Sequence, residues 1–132
     1  MTIDIDRLEA TLELVKPRAN EFLESFYHNL FTDYPATQAL FHRSDMKKQK
    51  IMLLNALAFT VNNLRTPEKL DQTLKGLGDR HIQYGALSEH YTLFGQSLLK
   101  TFEQYLGADW TPETQVAWLA AYQAIADRMV KV

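Results

Sequence analysis

A single histidine, His81, stands in the segment LGDRHIQYG at the end of a stretch with helical periodicity. Leu74 and Leu77 precede it by seven and four residues, so the three side chains share one face of a predicted helix. On periodicity alone, a hydrogen-bonded core histidine is the more common role. A neutral imidazole is also a good ligand for iron or copper, although one protein ligand cannot hold an ordinary metal ion.

The rest of the sequence offers no second protein ligand for a metal at His81. His28, His42 and His90 show no ligand-pair spacing with it or with each other, and no His-Glu-x-x-His or clustered carboxylate motif occurs. The chain has no cysteine, which excludes disulfides, Cys-ligated zinc, iron–sulfur clusters and thioether-attached cofactors. A lone ligand therefore suggests a metal whose other ligands come from a cofactor, and haem is the obvious case.

Haem needs an apolar slot lined by aromatic side chains and a facing helix with few polar groups, and the chain supplies seven Phe, six Tyr and two Trp. Gln49 and Leu53 lie one turn apart on one helix face, and Tyr27 places a hydroxyl within an apolar aromatic face. Each feature has an ordinary alternative. Gln49 can be a solvated side chain between Lys48 and Lys50, Tyr27 a core tyrosine with a surface hydroxyl, and the aromatic residues plain core.

Apolar residues recur at the helical period along the whole chain, and no alternating run of β-branched residues predicts a strand. We therefore expect one all-α domain over residues 1–132, with about seven helices. Threonine–proline–glutamate start signals precede two of them. The predicted helices cover 6–16, 19–31, a short turn at 35–41, 46–64, 66 to about 81, 88–106, and 111 to about 129.

The bulk composition excludes several functional classes. The formal net charge is −2, so no strong field attracts the chain to nucleic acid or anionic membrane. The basic run Lys47-Lys48 with Lys50 adjoins Asp45, and we interpret it as a solvated helix end. Neither a secretory signal nor a run of about 18 apolar residues occurs. We expect a cytoplasmic protein that binds neither nucleic acid nor a membrane.

Over essentially all of its length, the sequence resembles the globins, and more closely the bacterial single-domain globins and the globin domains of flavohaemoglobins. Pro35 and Phe41 lie six residues apart as in that family, and His81 follows Phe41 by forty. The resemblance implies a globin fold around haem b (iron protoporphyrin IX). The similar segments occur in the family's order: FYHNLFTDYP, the ALF that ends in Phe41, SDMKKQKIML, LGDRHIQYGALSEHY followed by LFGQSLLKTFEQYLG, and WTPETQVAWLAAY.

The resemblance assigns roles on the proximal side of the haem. His81 matches the proximal iron ligand, Phe41 the phenylalanine that packs on the haem, and Leu77 a haem contact. Tyr91 matches the tyrosine that, with a glutamate of the last helix, polarises the proximal histidine in the flavohaemoglobin-like group. No glutamate stands where the family places that partner, so we expect a less anionic imidazole and a weaker electron push for peroxidase-like chemistry.

On the distal side, Tyr27 and Gln49 match the polar pair that donates hydrogen bonds to bound dioxygen, and Leu53 matches the residue that limits access. The register of this helix has an alternative in which Lys50 and Leu54 take those positions. We prefer Gln49 and Leu53 because that choice keeps lysine out of the pocket.

The resemblance implies a protein that reversibly binds dioxygen, and the related ligands CO and NO, for storage, transport or sensing rather than an enzyme. The alternative is nitric oxide dioxygenase or peroxidase-like chemistry with a separate reductase, because 132 residues leave no room for a flavin or nicotinamide domain. A regulatory globin domain without haem is a third reading, and His81, Phe41, Tyr27 and Gln49 together argue against it.

Overall fold

The computed structural model describes residues 4–41, 45–66, 68–69, 71–72, 75–76 and 88–129. Within them the chain is all-α, as predicted, with five α-helices, three short 3₁₀ helices and no strand. The α-helices are α1 (Ile5–Val15), α2 (Ala19–Asp33), α3 (Met46–Asn62), α4 (Ser88–Leu106) and α5 (Pro112–Met129). The 3₁₀ helices are Lys16–Arg18, Pro35–Phe41 and Gly107–Asp109. None of the helices in this described part is long and apolar enough to cross a membrane.

Local side chains set several of the helix ends. The Asp45 carboxylate accepts hydrogen bonds from two backbone N–H groups in the first turn of α3, at 3.0 and 3.4 Å. Thr111 Oγ1 accepts one from the backbone N–H of Thr114 at 3.2 Å, which confirms the predicted start of α5. Gly107 follows α4 with a φ of 51°, a conformation that glycine adopts without a steric penalty.

The core lies where α2 packs along α4 and both meet α5. The aromatic face predicted around Tyr27 lies on α2 and is buried there. Phe102 of α4 is fully buried between Phe22 of α2 and Trp118 of α5, with ring centroids 4.9 and 4.6 Å away. Burying a side chain of this size contributes about 1.5–3 kcal/mol. The remaining fully buried apolar side chains include Leu8, Leu23, Phe26, Leu30, Val61 and Leu98.

One buried polar group sets how α2 lies on α4. The Asn29 amide donates to Thr101 Oγ1 at 3.0 Å and to Gln104 Oε1 at 2.9 Å. Sliding one helix along the other would leave this buried amide unpaired, which costs about 1–3 kcal/mol. The asparagine therefore favours one register of the two helices.

The helices α4 and α5 approach each other closely at Gly95. A Cβ atom built there would lie 2.5 Å from Cε2 of Tyr122. The Tyr122 hydroxyl donates to the backbone carbonyl of Tyr91 at 2.5 Å. The ring is therefore fixed by its backbone on α5 at one end and by this hydrogen bond at the other. Only a residue without a side chain leaves space for this ring.

Gly95→Ala is expected to destabilise the protein. Overpacking against the anchored ring costs about 1–3 kcal/mol, more than the roughly 1 kcal/mol that alanine gains over glycine in a helix. Gly76→Ala is the control, because a methyl group there meets no heavy atom within 4 Å among the described residues. Urea unfolding measures both variants. Equal effects, or no relief of the Gly95→Ala penalty in a Tyr122→Val background, would contradict the close approach.

Candidate functional site

Five aromatic side chains from α2, α4 and the 3₁₀ helix Pro35–Phe41 form one group, which we call the aromatic cluster. Its members are Phe26, Tyr27, Phe31, Phe41 and Phe94. Phe41 lies edge-to-face against Tyr27, with ring centroids 5.5 Å apart, and is nearly parallel to Phe94 at 6.3 Å. Phe31, Phe41 and Phe94 are only half-buried, so the cluster keeps apolar surface that no described residue covers.

The Tyr27 hydroxyl lies within this cluster without a hydrogen-bond partner among the described residues. The Tyr27 side chain is 3% exposed, which rules out the alternative of a hydroxyl at the surface. Buried hydroxyls are nearly always paired, and an unpaired one costs about 1–3 kcal/mol. Burial raises the pKa of Tyr27 to about 12, with the Gln49 side chain opposing the rise. The phenol therefore keeps its proton and is an unused donor at neutral pH.

Two other buried polar atoms share this lack of a partner within the described residues, Ser97 Oγ and Trp118 Nε1. Tyr27 differs from them because a second polar side chain, Gln49, lies close to its hydroxyl. Gln49 is near enough to lower the pKa of the phenol, but the pair lacks the geometry of a hydrogen bond. The cluster therefore holds two neighbouring polar side chains in otherwise apolar surroundings.

α3 presents Gln49 to the cluster and Leu53 one turn further along. Both side chains are half-buried, and Leu53 packs against the hydrophobic core. The ammonium group of Lys50 instead lies 3.9 Å from the Glu24 carboxylate of α2. Leu54 is also half-buried against the core. The alternative register would need Lys50 inside the pocket, whereas the described geometry turns it toward Glu24.

On α4, Tyr91 is half-buried, and burial raises the pKa of its hydroxyl. Its carbonyl accepts the hydrogen bond from Tyr122, and burial also raises the pKa of Tyr122. His81 and Leu77 lie outside the described residues, so their predicted roles stay predictions. Among the residues that are described, no three His, Cys, Asp or Glu side chains come together as a metal site.

Phe31 and Phe94 belong to the aromatic cluster but were not predicted from the sequence as site residues. Phe31 follows Tyr27 by four residues on α2, and Phe94 follows Tyr91 by three on α4. Residues at these separations share a helix face. Extending each candidate by one turn would have found both phenylalanines.

These features define the class: a helical bundle whose aromatic cluster surrounds one buried donor that has no partner among the described residues. Residues 24–129 match the profile of the Globin family. The chain therefore belongs to the globin family, and this membership supports haem binding in general.

Several bacterial flavohaemoproteins are curated relatives of the chain. The flavohaemoprotein of Bacillus subtilis (strain 168) is 28% identical over 130 residues, which cover 97% of this chain and 33% of the relative. The flavohaemoprotein of Burkholderia sp. (strain TH2) is 27% identical over 126 residues, covering 93% and 32%. The chain thus spans about a third of the length of the curated relatives it matches.

Two solved structures share the fold at 23% sequence identity. A bacterial globin from Campylobacter jejuni superposes with a TM-score of 0.78, covering 92% of this chain and 88% of the other. An engineered carbene transferase, from a Rhodothermus marinus protein described as a nitric oxide dioxygenase, superposes with a TM-score of 0.82, covering 95% and 89%. Both confirm the globin fold.

The raised pKa of Tyr27 is expected to appear as a loss of stability at alkaline pH. Above pH 10 the unfolded chain releases this proton and the folded chain keeps it until about pH 12. The free energy of unfolding therefore falls by about 1.4 kcal/mol per pH unit across that window. Tyr27→Phe removes the contribution of Tyr27 to this fall and leaves the contributions of the other tyrosines. Urea unfolding of the haem-free proteins between pH 9 and 12 measures the difference, and parallel curves would contradict it.

Proposed function

We propose that this chain is a haem-b-binding globin that reversibly binds dioxygen, with residues 1–132 acting as a single globin domain. The observation that carries the proposal is the buried Tyr27 hydroxyl, which has no partner among the described residues and lies beside Gln49 in the aromatic cluster. An apolar slot with two inward polar donors suits a small, weakly charged ligand held next to a flat cofactor.

The residues of the described part fit a haem group. The half-buried rings of Phe31, Phe41 and Phe94 offer the apolar surface that a porphyrin would cover. Phe41 would pack on the porphyrin, with Leu77 and Tyr91 as further contacts on the proximal side. His81 would hold the iron through its imidazole. The haem would supply the iron that binds the diatomic ligand.

Tyr27 would stabilise the ligand by donating a hydrogen bond to it, and Gln49 would donate a second. A ligand that gains negative charge on binding, as dioxygen does, accepts such bonds strongly, whereas carbon monoxide hardly does. A buried donor contributes about 1–3 kcal/mol to a charged acceptor, or roughly 10- to 100-fold in affinity. Leu53, one turn beyond Gln49, would limit the size of what enters the distal side.

A second candidate function is nitric oxide dioxygenation with an external electron donor. It is favoured by relatives named flavohaemoproteins and by the structural neighbour described as a nitric oxide dioxygenase. The reaction combines nitric oxide, dioxygen and one electron into nitrate, so we propose a separate reduced flavin protein as partner. Nitrate formation by the oxygenated protein, with and without a reductase, distinguishes catalysis from simple oxygen binding.

His81→Ala is expected to abolish ordinary haem loading, because the proposed site has a single protein ligand for the iron. Absorption spectra of the ferric, ferrous and CO-bound proteins measure the loss of the Soret band. His28→Ala is the matched control, since His28 is an exposed histidine on α2. Normal spectra in His81→Ala would overturn the assignment of the proximal ligand.

Tyr27→Phe is expected to raise the dioxygen dissociation rate at least about tenfold, because the pocket loses a buried donor worth at least about 1.4 kcal/mol. The dissociation rate of carbon monoxide should change much less. Tyr34→Phe is the control, because its hydroxyl already donates to Gln96 Oε1 at 2.6 Å in an exposed position. Stopped-flow ligand replacement measures each rate, and an unchanged dioxygen rate would remove Tyr27 from the mechanism.

A further inference from the structure

The outer side of α3, opposite the pocket, carries an exposed patch that the proposed haem function does not use. We call it the α3 outer face; its members, all exposed, are Lys47, Lys48, Ile51, Met52 and Asn55. Ile51 and Met52 are 54% and 59% exposed, which is high for large apolar side chains. At about 100° per residue, these five positions form one continuous arc of the helix.

The two lysines of this face make no ion pair with a described residue. Elsewhere in the described chain, six basic side chains are each paired with a carboxylate: Arg7, Lys16, Arg18, Lys50, Arg65 and Lys100. The adjoining acidic residue, Asp45, is occupied by two backbone N–H groups of the first turn. The patch therefore presents two exposed ammonium groups to the solvent.

The helix dipole also makes this position unfavourable for the two lysines. Both lie in the first turn of α3, where the helix dipole favours negative side chains and disfavours cations. Neither they nor the exposed Ile51 and Met52 contribute to the core. This cationic and apolar surface does not stabilise the helix that carries it, so binding explains it better than folding does.

We propose that the α3 outer face is the docking surface for an acidic, flavin-carrying electron-donor protein. The inference rests on the haem function proposed above. The donor's reduced flavin would lose one electron and a ferric haem iron would gain it, becoming ferrous. Its carboxylates would face Lys47 and Lys48, with apolar contact at Ile51 and Met52. The same helix carries Gln49 on its inner side, so the donor would lie about one helix diameter, 10–12 Å, from the pocket.

The size and charge of the face favour a transient protein partner over a lipid surface. Electron-transfer encounters bury little area, below about 1,200 Å² in total, and depend on complementary charge for their rate. Binding to an anionic membrane through basic residues commonly takes clusters of about 4–8 lysines and arginines. A two-lysine patch with two apolar side chains suits the first case.

The test uses the haem-loaded protein and a reduced bacterial flavodoxin, an acidic flavin protein, as the probe. Lys47→Glu/Lys48→Glu is expected to lower the second-order rate of ferric haem reduction about tenfold or more at low salt, and to weaken its ionic-strength dependence. Ile51→Ser/Met52→Ser is expected to weaken the complex mainly by faster dissociation. Lys16→Glu/Lys100→Glu carries the same charge change elsewhere and should alter the rate less than twofold.

A second readout does not depend on electron transfer. Carbodiimide cross-linking joins lysine amines to carboxylates in contact, so Lys47 and Lys48 should appear in the cross-linked peptides. The thermal midpoint of Lys47→Glu/Lys48→Glu should stay equal or rise, since the new charges suit the helix dipole.

The outcomes separate this proposal from the haem function. A preparation without a Soret band would overturn the haem function and the docking surface with it. Normal haem spectra with unchanged reduction by Lys47→Glu/Lys48→Glu would overturn the docking surface alone. An equal loss in the Lys16→Glu/Lys100→Glu control would show an effect of net charge, not of this face. Lysine-dependent sedimentation with phosphatidylserine vesicles, without flavodoxin cross-links, would make it a membrane site instead.

Discussion

The packing of α2 along α4 is the contact on which the rest of the structure depends. The same two helices build the core at one end, where Phe22 meets Phe102, and the candidate pocket at the other, where Phe26 meets Phe94 at 4.8 Å. The buried Asn29 amide favours one register of the two helices through its two hydrogen bonds to α4. The position of the neighbouring Tyr27 follows from that register, because side chains in a close-packed interior have little freedom to readjust.

The sequence predicted those parts of the fold that depend on local chemistry. The α2 face was predicted because its apolar residues keep the helical period, and Thr111 was predicted as a helix start because its hydroxyl caps its own helix. The Gly95–Tyr122 contact joins residues far apart in sequence, and no local pattern predicts that a ring of α5 lies against that glycine. The same holds for the hydrogen bonds of Asn29, since no residue near Asn29 in the sequence predicts its partners on α4.

The candidate site also combines features that the sequence predicts with features that depend on long-range contacts. Tyr27 and Gln49 were proposed from residue type and resemblance, but periodicity alone could not decide whether Gln49 or Lys50 faces the pocket. In the structure Lys50 lies near Glu24 of α2 and Gln49 affects the pKa of Tyr27, and the preferred register stays a prediction. The phenylalanines Phe31 and Phe94 show the opposite case, in which the signal was local and was not followed. Residues three or four positions from a candidate site residue share its helix face and are candidates for the same site.

The uneven anchoring of α3 connects stability with the proposed function. Its fully buried residues are Thr60 and Val61 near its C-terminal end, where Arg65 also binds Glu9 and Asp6 of α1 at 2.7 and 2.6 Å. The N-terminal half, which carries Gln49 and Leu53, has no fully buried side chain. Functional segments commonly come from such weakly held parts of a fold. A cofactor that covered this half would bury its apolar side chains, so its binding free energy would add to the stability of the folded chain. The part of α3 nearest the pocket would then owe its order to what it binds.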